Sequence, residues 1–306
     1  MVNVVLATLL NEHHTNLLRS FLEQDVSANL FALCVLEHWG VSGLRDAKWW
    51  GVFDENDLLC AVCYAGSYVD GEGFGLVVPY GIASGLPLIG MALAMRGGAR
   101  WVVGERTACD ALWDGLGAPV ARLCSEQVLF EVTQPSHGPT LDLRVGDDHD
   151  FAWLHRASSE MVREDLSLEW AGQTPDAFVD RLKCSIREGG EFIGSQHGQR
   201  MFRAERGARG SYGAQIGGIW VDPAHRRTGV GKAGTRTVVN ALLQQGPRVT
   251  LHVRADNFPA IHCYESVGFR PIRAFRLLVR DRSLRWENVM LATRLQAPFA
   301  VQATRS

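Results

Sequence analysis

The residues whose types and spacing suit chemistry lie in the last third of the chain. Arg226-Arg227-Thr228-Gly229-Val230-Gly231, followed by Lys232, sits inside GGIWVDPAHRRTGVGKAG. An apolar stretch that reads as a strand precedes this loop, and a segment of helical period follows it. Glycines let a backbone come close to a ligand. The start of a helix presents unpaired N–H groups at the positive end of its dipole. Together these make an anion site suited to a diphosphate, and Arg226, Arg227 and Lys232 add positive charge beside it. The loop is not that of a nucleotide hydrolase, because Ala233 follows Lys232 and no Gly-Lys-Ser/Thr spacing exists. A second constellation is ADNFPAIHCYESVGF, with Asn257 near a helix start and Pro259 in its first turn. Tyr264 is seven residues beyond Asn257, so both lie on one helix face.

Particular elements must hold these residues. Gly213 to Val221 reads as a strand leading into the loop, and Gly217-Gly218 within it suits a bulge that opens a cleft. After Gly229, Val230, Ala233, Gly234, Thr237, Val238, Ala241 and Leu242 recur at helical spacing, so one face packs on a sheet. Gly246 and Pro247 stop that helix. Val249, Leu251 and Val253 then alternate with Thr250, His252 and Arg254 as a strand. Upstream, Thr140 to Arg144 reads as a strand, and Phe151 to Arg163 and Thr174 to Arg187 as helices, the latter with Thr174 as N-cap and Pro175 in its first turn. Hairpins are expected at Trp50 to Phe53 with Leu58 to Tyr64, and at Phe192 to Ile193 with Met201 to Glu205.

Arg-x-x-Gly-x-Gly after a strand ending Val-Asp-Pro resembles the acetyl-CoA loop of the GNAT superfamily of N-acetyltransferases. Asn, Ala, Tyr and Gly-Phe in order from Asn257 to Phe269 resemble the family's second coenzyme-contacting segment. The resemblance implies that amides of Arg227, Thr228, Gly229, Val230, Gly231 and Lys232, with Arg226 nearby, bind the pyrophosphate of acetyl-CoA. It implies that Ile219, Trp220 and Val221 pair with the pantetheine arm, that Asn257 contacts the cofactor, and that Tyr264 protonates the departing thiolate. The chemistry is consistent: Tyr titrates near about 10 and a thiol near about 8.5, so the phenol is protonated at neutral pH and can donate. The bland alternative for Tyr264 is an amphipathic core residue.

The base that receives the amine proton is less defined. Many family members carry a Glu on the strand before the loop, where this chain has Gln215. Glu205, in the neighbouring strand (FRAERG), is the candidate, with Glu164, Asp165 and a water chain as alternatives; solvated surface charge is the plainer reading of Glu164 and Asp165. His252 has a structural role by its strand position. Trp153, Trp170 and Trp220 could border the cleft, although core packing suits each better.

The halves look like distant copies of one unit, divided by the polar linker Thr133 to Thr140 (TQPSHGPT). Aligned on Gly117 and Gly268, Trp113 falls opposite Tyr264. The first half lacks the basic glycine loop; its nearest equivalent, PYGIASGLPLIGM, is apolar. The resemblance, to a bacterial tandem type, therefore implies an α/β (α+β) fold of tandem GNAT-like domains, each a mixed, mostly antiparallel sheet flanked by helices. Residues 1–134 would be a degenerate N-terminal domain that covers or shapes the acceptor site, and residues 139–295 the catalytic domain. The tail after Val279 exceeds what the fold requires.

Composition agrees with a soluble, cytoplasmic enzyme. Lys plus Arg number 31 against 33 Asp plus Glu, a balance that argues against nucleic-acid or membrane-surface binding. Tyr80 to Met95 is too short and glycine-rich to span a bilayer and reads as loop plus core helix, and no signal peptide is evident. Seven scattered Cys suggest reduced thiols; Cys60 and Cys63 read as two small core residues, with no second pair to complete a zinc site. The reading is an acetyl-CoA-dependent N-acetyltransferase that moves the acetyl group directly to a primary amine, either a small molecule or a peptide, with a homodimer left open and no metal implied. The rivals are a non-catalytic acyl-CoA-binding regulator, motivated by Gln215, and a transferase using a longer acyl-CoA.

Overall fold

The protein is a computed structural model in which residues 6–43, 46–69, 73–166 and 176–281 are described. Trp170, the expected N-cap Thr174 with Pro175, and the tail from residue 282 lie outside them. The strands are β1 (Ala7–Leu9), β2 (Lys48–Phe53), β3 (Leu59–Ala65), β4 (Tyr68–Val69), β5 (Gly73–Gly81), β6 (Ala99–Glu105), β7 (Ala121–Val132), β8 (Asp142–Val145), β9 (Glu191–Gln196), β10 (Gln199–Gly210), β11 (Gly213–Val221), β12 (Val249–Arg254) and β13 (Arg270–Arg280). The helices are α1 (Thr15–Leu22), α2 (Leu30–Trp39), α3 (Leu86–Ala94), α4 (Arg106–Gly115), α5 (Phe151–Leu166), α6 (Asp176–Arg187), α7 (Val230–Leu243) and α8 (Phe258–Val267). Among the described residues no helix is long and apolar enough to cross a membrane.

The described residues divide into two compact units, one of residues 6–129, 252–256 and 272–281, the other of 130–251 and 257–271. In the first, the sheet runs β1-β2-β3-β5-β6-β13, with β4 beside β5. The expected β2–β3 hairpin is present, with Trp50 opposite Cys63. β5 and β6 are parallel, joined through α3, with Phe74 opposite Ala99. The last described strand joins this sheet: β13 runs antiparallel to β6, Leu277 opposite Val103. No local pattern in the sequence announces that placement.

The run from Tyr80 to Met95 becomes the end of β5, a turn and α3, so its first residues are strand rather than loop. Leu86, Ile89 and Leu93 of α3 are fully buried and share a core with Val77, Val102, Leu112 and Trp113. α3 and α4 touch backbone to backbone: a Cβ on Gly90 would collide with the Leu112 carbonyl, and one on Gly115 with that of Pro87. Cys63 is buried, Cys60 half-buried, and none of the seven cysteines is in a disulfide; burial pushes the Cys63 thiol up.

In the second unit the order is β12-β11-β10-β9-β8. β9 with β10 forms the expected hairpin, Phe192 opposite Ala204, and β11 occupies the predicted residues, Gly213–Val221. β11 and β12 are parallel, paired at Ala214–Val249 and Gln215–Thr250. α7 buries Val230, Ala233, Gly234, Val238, Val239 and Leu242, close to the face its periodicity marks. Its polar side holds the linker: Arg236 donates to the Pro139 carbonyl at 2.8 Å, Asn240 to that of Ser136 at 3.0 Å, and Thr237 Oγ1 accepts from the Leu141 amide at 3.0 Å.

One buried carboxylate joins β8 to β10. Asp150, 2% exposed, accepts both guanidinium branches of Arg144 at 2.5 Å and Arg200 at 2.7 Å. The Arg144 bonds lead in holding its carboxyl at about 2. A depressed acid contributes stability above its ordinary pKa and loses it as pH falls through the folded value. Asp150→Asn is therefore expected to cost on the order of 2 kcal/mol at neutral pH. The gap from wild type should shrink as pH drops from about 5 to about 2, as urea unfolding at a series of pH values will show.

Candidate active site

α7 starts without a side-chain cap, at Gly229 in the left-handed region (φ 90°). Its first N–H groups are thus not claimed by a capping side chain, the condition for an anion to take that place. Arg227 also has positive φ (65°), and Thr228 Oγ1 donates back to the His225 carbonyl at 2.7 Å. The side chains of Arg227, Thr228 and Lys232 are exposed. A Cβ on Gly229 would meet nothing within 4 Å, so the mouth of the loop is open. These groups fit a diphosphate.

Arg226 is differently engaged. It donates to both oxygens of Glu164 at 3.0 and 3.2 Å and to the Val221 carbonyl at 3.2 Å. Arg156 on the same face of α5 reaches Asp222 at 2.5 Å and lies over the Trp220 ring. Glu164 is therefore not a lone surface charge: it is tied to the loop through Arg226. The indole of Trp220, 3% exposed, packs edge-to-face on Trp153 at 5.6 Å, the core role.

The strand before the loop carries the anticipated bulge. Arg203 lies opposite Trp220 and Glu205 opposite Gly217, so three residues of β10 face four of β11. Gly218 sits at the irregularity with φ 57°. β11 leaves its register with β12 after Gln215, and Gln215 occupies the place where a carboxylate was sought.

Beneath the bulge lies a cluster of buried charge. Arg203, 2% exposed, forks onto both oxygens of Glu191 at 2.8 and 2.9 Å and onto Glu205 at 3.2 Å. It also donates to the Gly218 carbonyl at 3.0 Å. Glu205 is further paired with Arg181, and Ser185 donates to Glu191 at 2.9 Å. Burial alone would raise the Glu205 carboxyl, yet Arg181 and Arg203 outweigh it and hold it below the usual range. Glu191, with a single Arg partner and Glu205 nearby, is raised by burial. Sequence reading found Glu205 but not Glu191, Arg181 or the part played by Arg203. The available signal was Arg203 and Glu205 two apart on a strand, which places both side chains on one face.

Tyr264, 8% exposed, lies on α8 with its ring edge-on to Phe269. Burial, with smaller effects of Cys263 and Asp165, raises its phenol well above the ordinary value, so it stays protonated. Asn257 is the N-cap of α8, its side-chain oxygen accepting from the Ala260 amide at 3.3 Å. In the first unit, His252 lies against Phe275 at 4.7 Å, and burial lowers it to about 4, the structural role expected of it.

The acetyltransferase (GNAT) family model matches residues 144–269, the stretch that holds the parallel strand pair, the bulge and the uncapped helix start. Residues 144–269 are thus similar to a GNAT-family domain. A mycothiol acetyltransferase of Acidothermus cellulolyticus is 30% identical over 213 residues, 61% of this chain and 63% of the relative. Another, from a Nocardioides species, is 35% identical over 86 residues, 27% of this chain and 29% of the relative. The chain thus matches less than two thirds of either relative's length. A GCN5-related N-acetyltransferase from Sphaerobacter thermophilus superposes with a TM-score of 0.58 at 15% identity, covering 90% of this chain and 94% of that one. A tandem GNAT protein from the clavulanic acid biosynthesis pathway superposes with a TM-score of 0.52 at 13% identity, covering 92% of this chain and all of that one. The GNAT fold thus extends well beyond the matched domain, in tandem form.

The two kinds of ion pair predict different costs. Glu164→Ala breaks a half-exposed pair and should change stability by less than about 1 kcal/mol. Glu191→Ala removes the two-pronged partner of a buried guanidinium and should cost about 3–5 kcal/mol. Denaturant midpoints of the two variants test the contrast.

Proposed function

We propose that the protein is an acetyl-CoA-dependent N-acetyltransferase that moves the acetyl group directly to a primary amine. The observation that carries this reading is the uncapped start of α7, with exposed Arg227 and Lys232, following the bulged strand β11. The amides from Arg227 to Lys232 hold the pyrophosphate. The main chain of Ile219, Trp220 and Val221 receives the pantetheine arm, and Asn257 at the head of α8 contacts the cofactor. When bound, the cofactor supplies an activated acetyl thioester. Main-chain N–H groups near Ile219 stabilise negative charge on the carbonyl oxygen. Tyr264, kept protonated by burial, gives its proton to the sulfur.

The base assigned to Glu205 takes a different form. A carboxylate held low by two guanidinium groups is a poor proton acceptor. Glu205 serves by holding Arg203, and the amine proton leaves through water. The relatives named mycothiol acetyltransferases favour a small-molecule acceptor over a peptide. In the first unit the backbone contact of α3 with α4 and the apolar loop before α3 leave the pyrophosphate role to the second.

Calorimetry with acetyl-CoA should show one site, and reversing the charge at Arg227 and Lys232 together should weaken it at least tenfold. No heat from any coenzyme A thioester would sink the proposal. Tyr264→Phe should lower turnover by about 10²-fold or more while changing coenzyme affinity less than twofold. Unchanged turnover on a true acceptor would remove Tyr264 from the mechanism. Binding without transfer across an amine screen would favour the regulator, and tighter binding of longer thioesters a different acyl donor.

A further inference from the structure

We infer that Arg203 is a positioning residue that aims and strengthens the Ile219 amide as the donor to the thioester carbonyl; this rests on the function proposed above. The argument begins with the peptide unit between Gly218 and Ile219. A trans peptide is planar, and its C=O and N–H point in opposite directions. Whatever grips the Gly218 oxygen therefore sets the direction of the Ile219 N–H. The grip is the Arg203 guanidinium, at 3.0 Å. The same peptide lies in the stretch where β10 and β11 lose register, so ladder bonds do not fix its plane.

The guanidinium has little freedom. Glu191 holds two of its nitrogens and Glu205 one, all at 3.2 Å or less. Arg181 anchors Glu205 in turn. Gly218 completes the device: a Cβ there would stand 2.5 Å from Arg203 Nη1 and 3.1 Å from the Glu205 Cβ, and φ of 57° already disfavours any other residue. A cation bonded to one end of a peptide also polarises the other end, in the way hydrogen bonds in a chain reinforce one another. Glu205 and Glu191 thus act through Arg203, without touching substrate.

The test compares acetyl-CoA with coenzyme A, which lacks the carbonyl but keeps the pyrophosphate and pantetheine. Arg203→Lys preserves charge and loses the fork. Calorimetry should show the affinity ratio of acetyl-CoA to coenzyme A falling about fivefold, the worth of one hydrogen bond, with coenzyme A affinity within twofold of wild type. That retained affinity reports a folded domain. Should the lysine variant not fold, Arg203→Met with Glu191→Leu removes the pair together, a change buried pairs often tolerate, and the same fall is expected. An unchanged ratio in a folded variant, or equal weakening of both ligands, overturns the inference while leaving the proposed function intact. Wild type that binds neither ligand overturns both.

Discussion

β11 must stay a strand of the sheet and yet offer main-chain groups to something other than its neighbour. A buried amide or carbonyl that loses its ladder partner costs energy unless another is supplied. β11 meets that constraint at each end by different means. As far as Gln215 it is paired with β12; at Gly218 the freed carbonyl is taken by Arg203; at Val221 the carbonyl is taken by Arg226. Two carbonyls of the strand are thereby satisfied by arginines, one buried under the sheet and one at the loop. The ion pairs around them, Glu191 and Glu205 for the first and Glu164 for the second, follow from that need.

The first unit shows what the same fold becomes without the need. Its parallel strands β5 and β6 also embrace a helix, but Gly104 approaches the Pro79 carbonyl closely, leaving a Cβ there only 3.1 Å. The residues ahead of α3 carry no charge to balance an anion. Trp113, whose indole donates to the Pro119 carbonyl at 3.1 Å, stands where the sequence alignment sets it against Tyr264. One side chain finishes a turn; the other keeps a proton in a dry setting.

The sequence made much of the second unit readable because its signals are local. Helical period marked α7, alternation marked β12, and paired glycines marked the bulge. Thr237 and Ala241, placed on the packed face by period alone, are only half-buried, while Thr235 and Arg236 are buried. The difference arises because the docked linker covers Arg236, while Thr235 faces Cys263 of α8. The position of β13 on β6 was not legible, since strand pairing across the chain depends on the whole sheet. Nor was the charge cluster: Glu191, Arg203 and Arg181 come from three elements, and only the fold makes them neighbours.

The segment from Ser136 to Leu141 has the composition of a tether, with a proline and a glycine, but it behaves as a strap. Bound at three points along α7 by Arg236, Thr237 and Asn240, it adds a seam to the helix whose opposite end faces the loop. Lengthening or shortening it would not merely change a spacing. It would unstitch that seam, so changes to the joint between the halves would be felt where α7 begins.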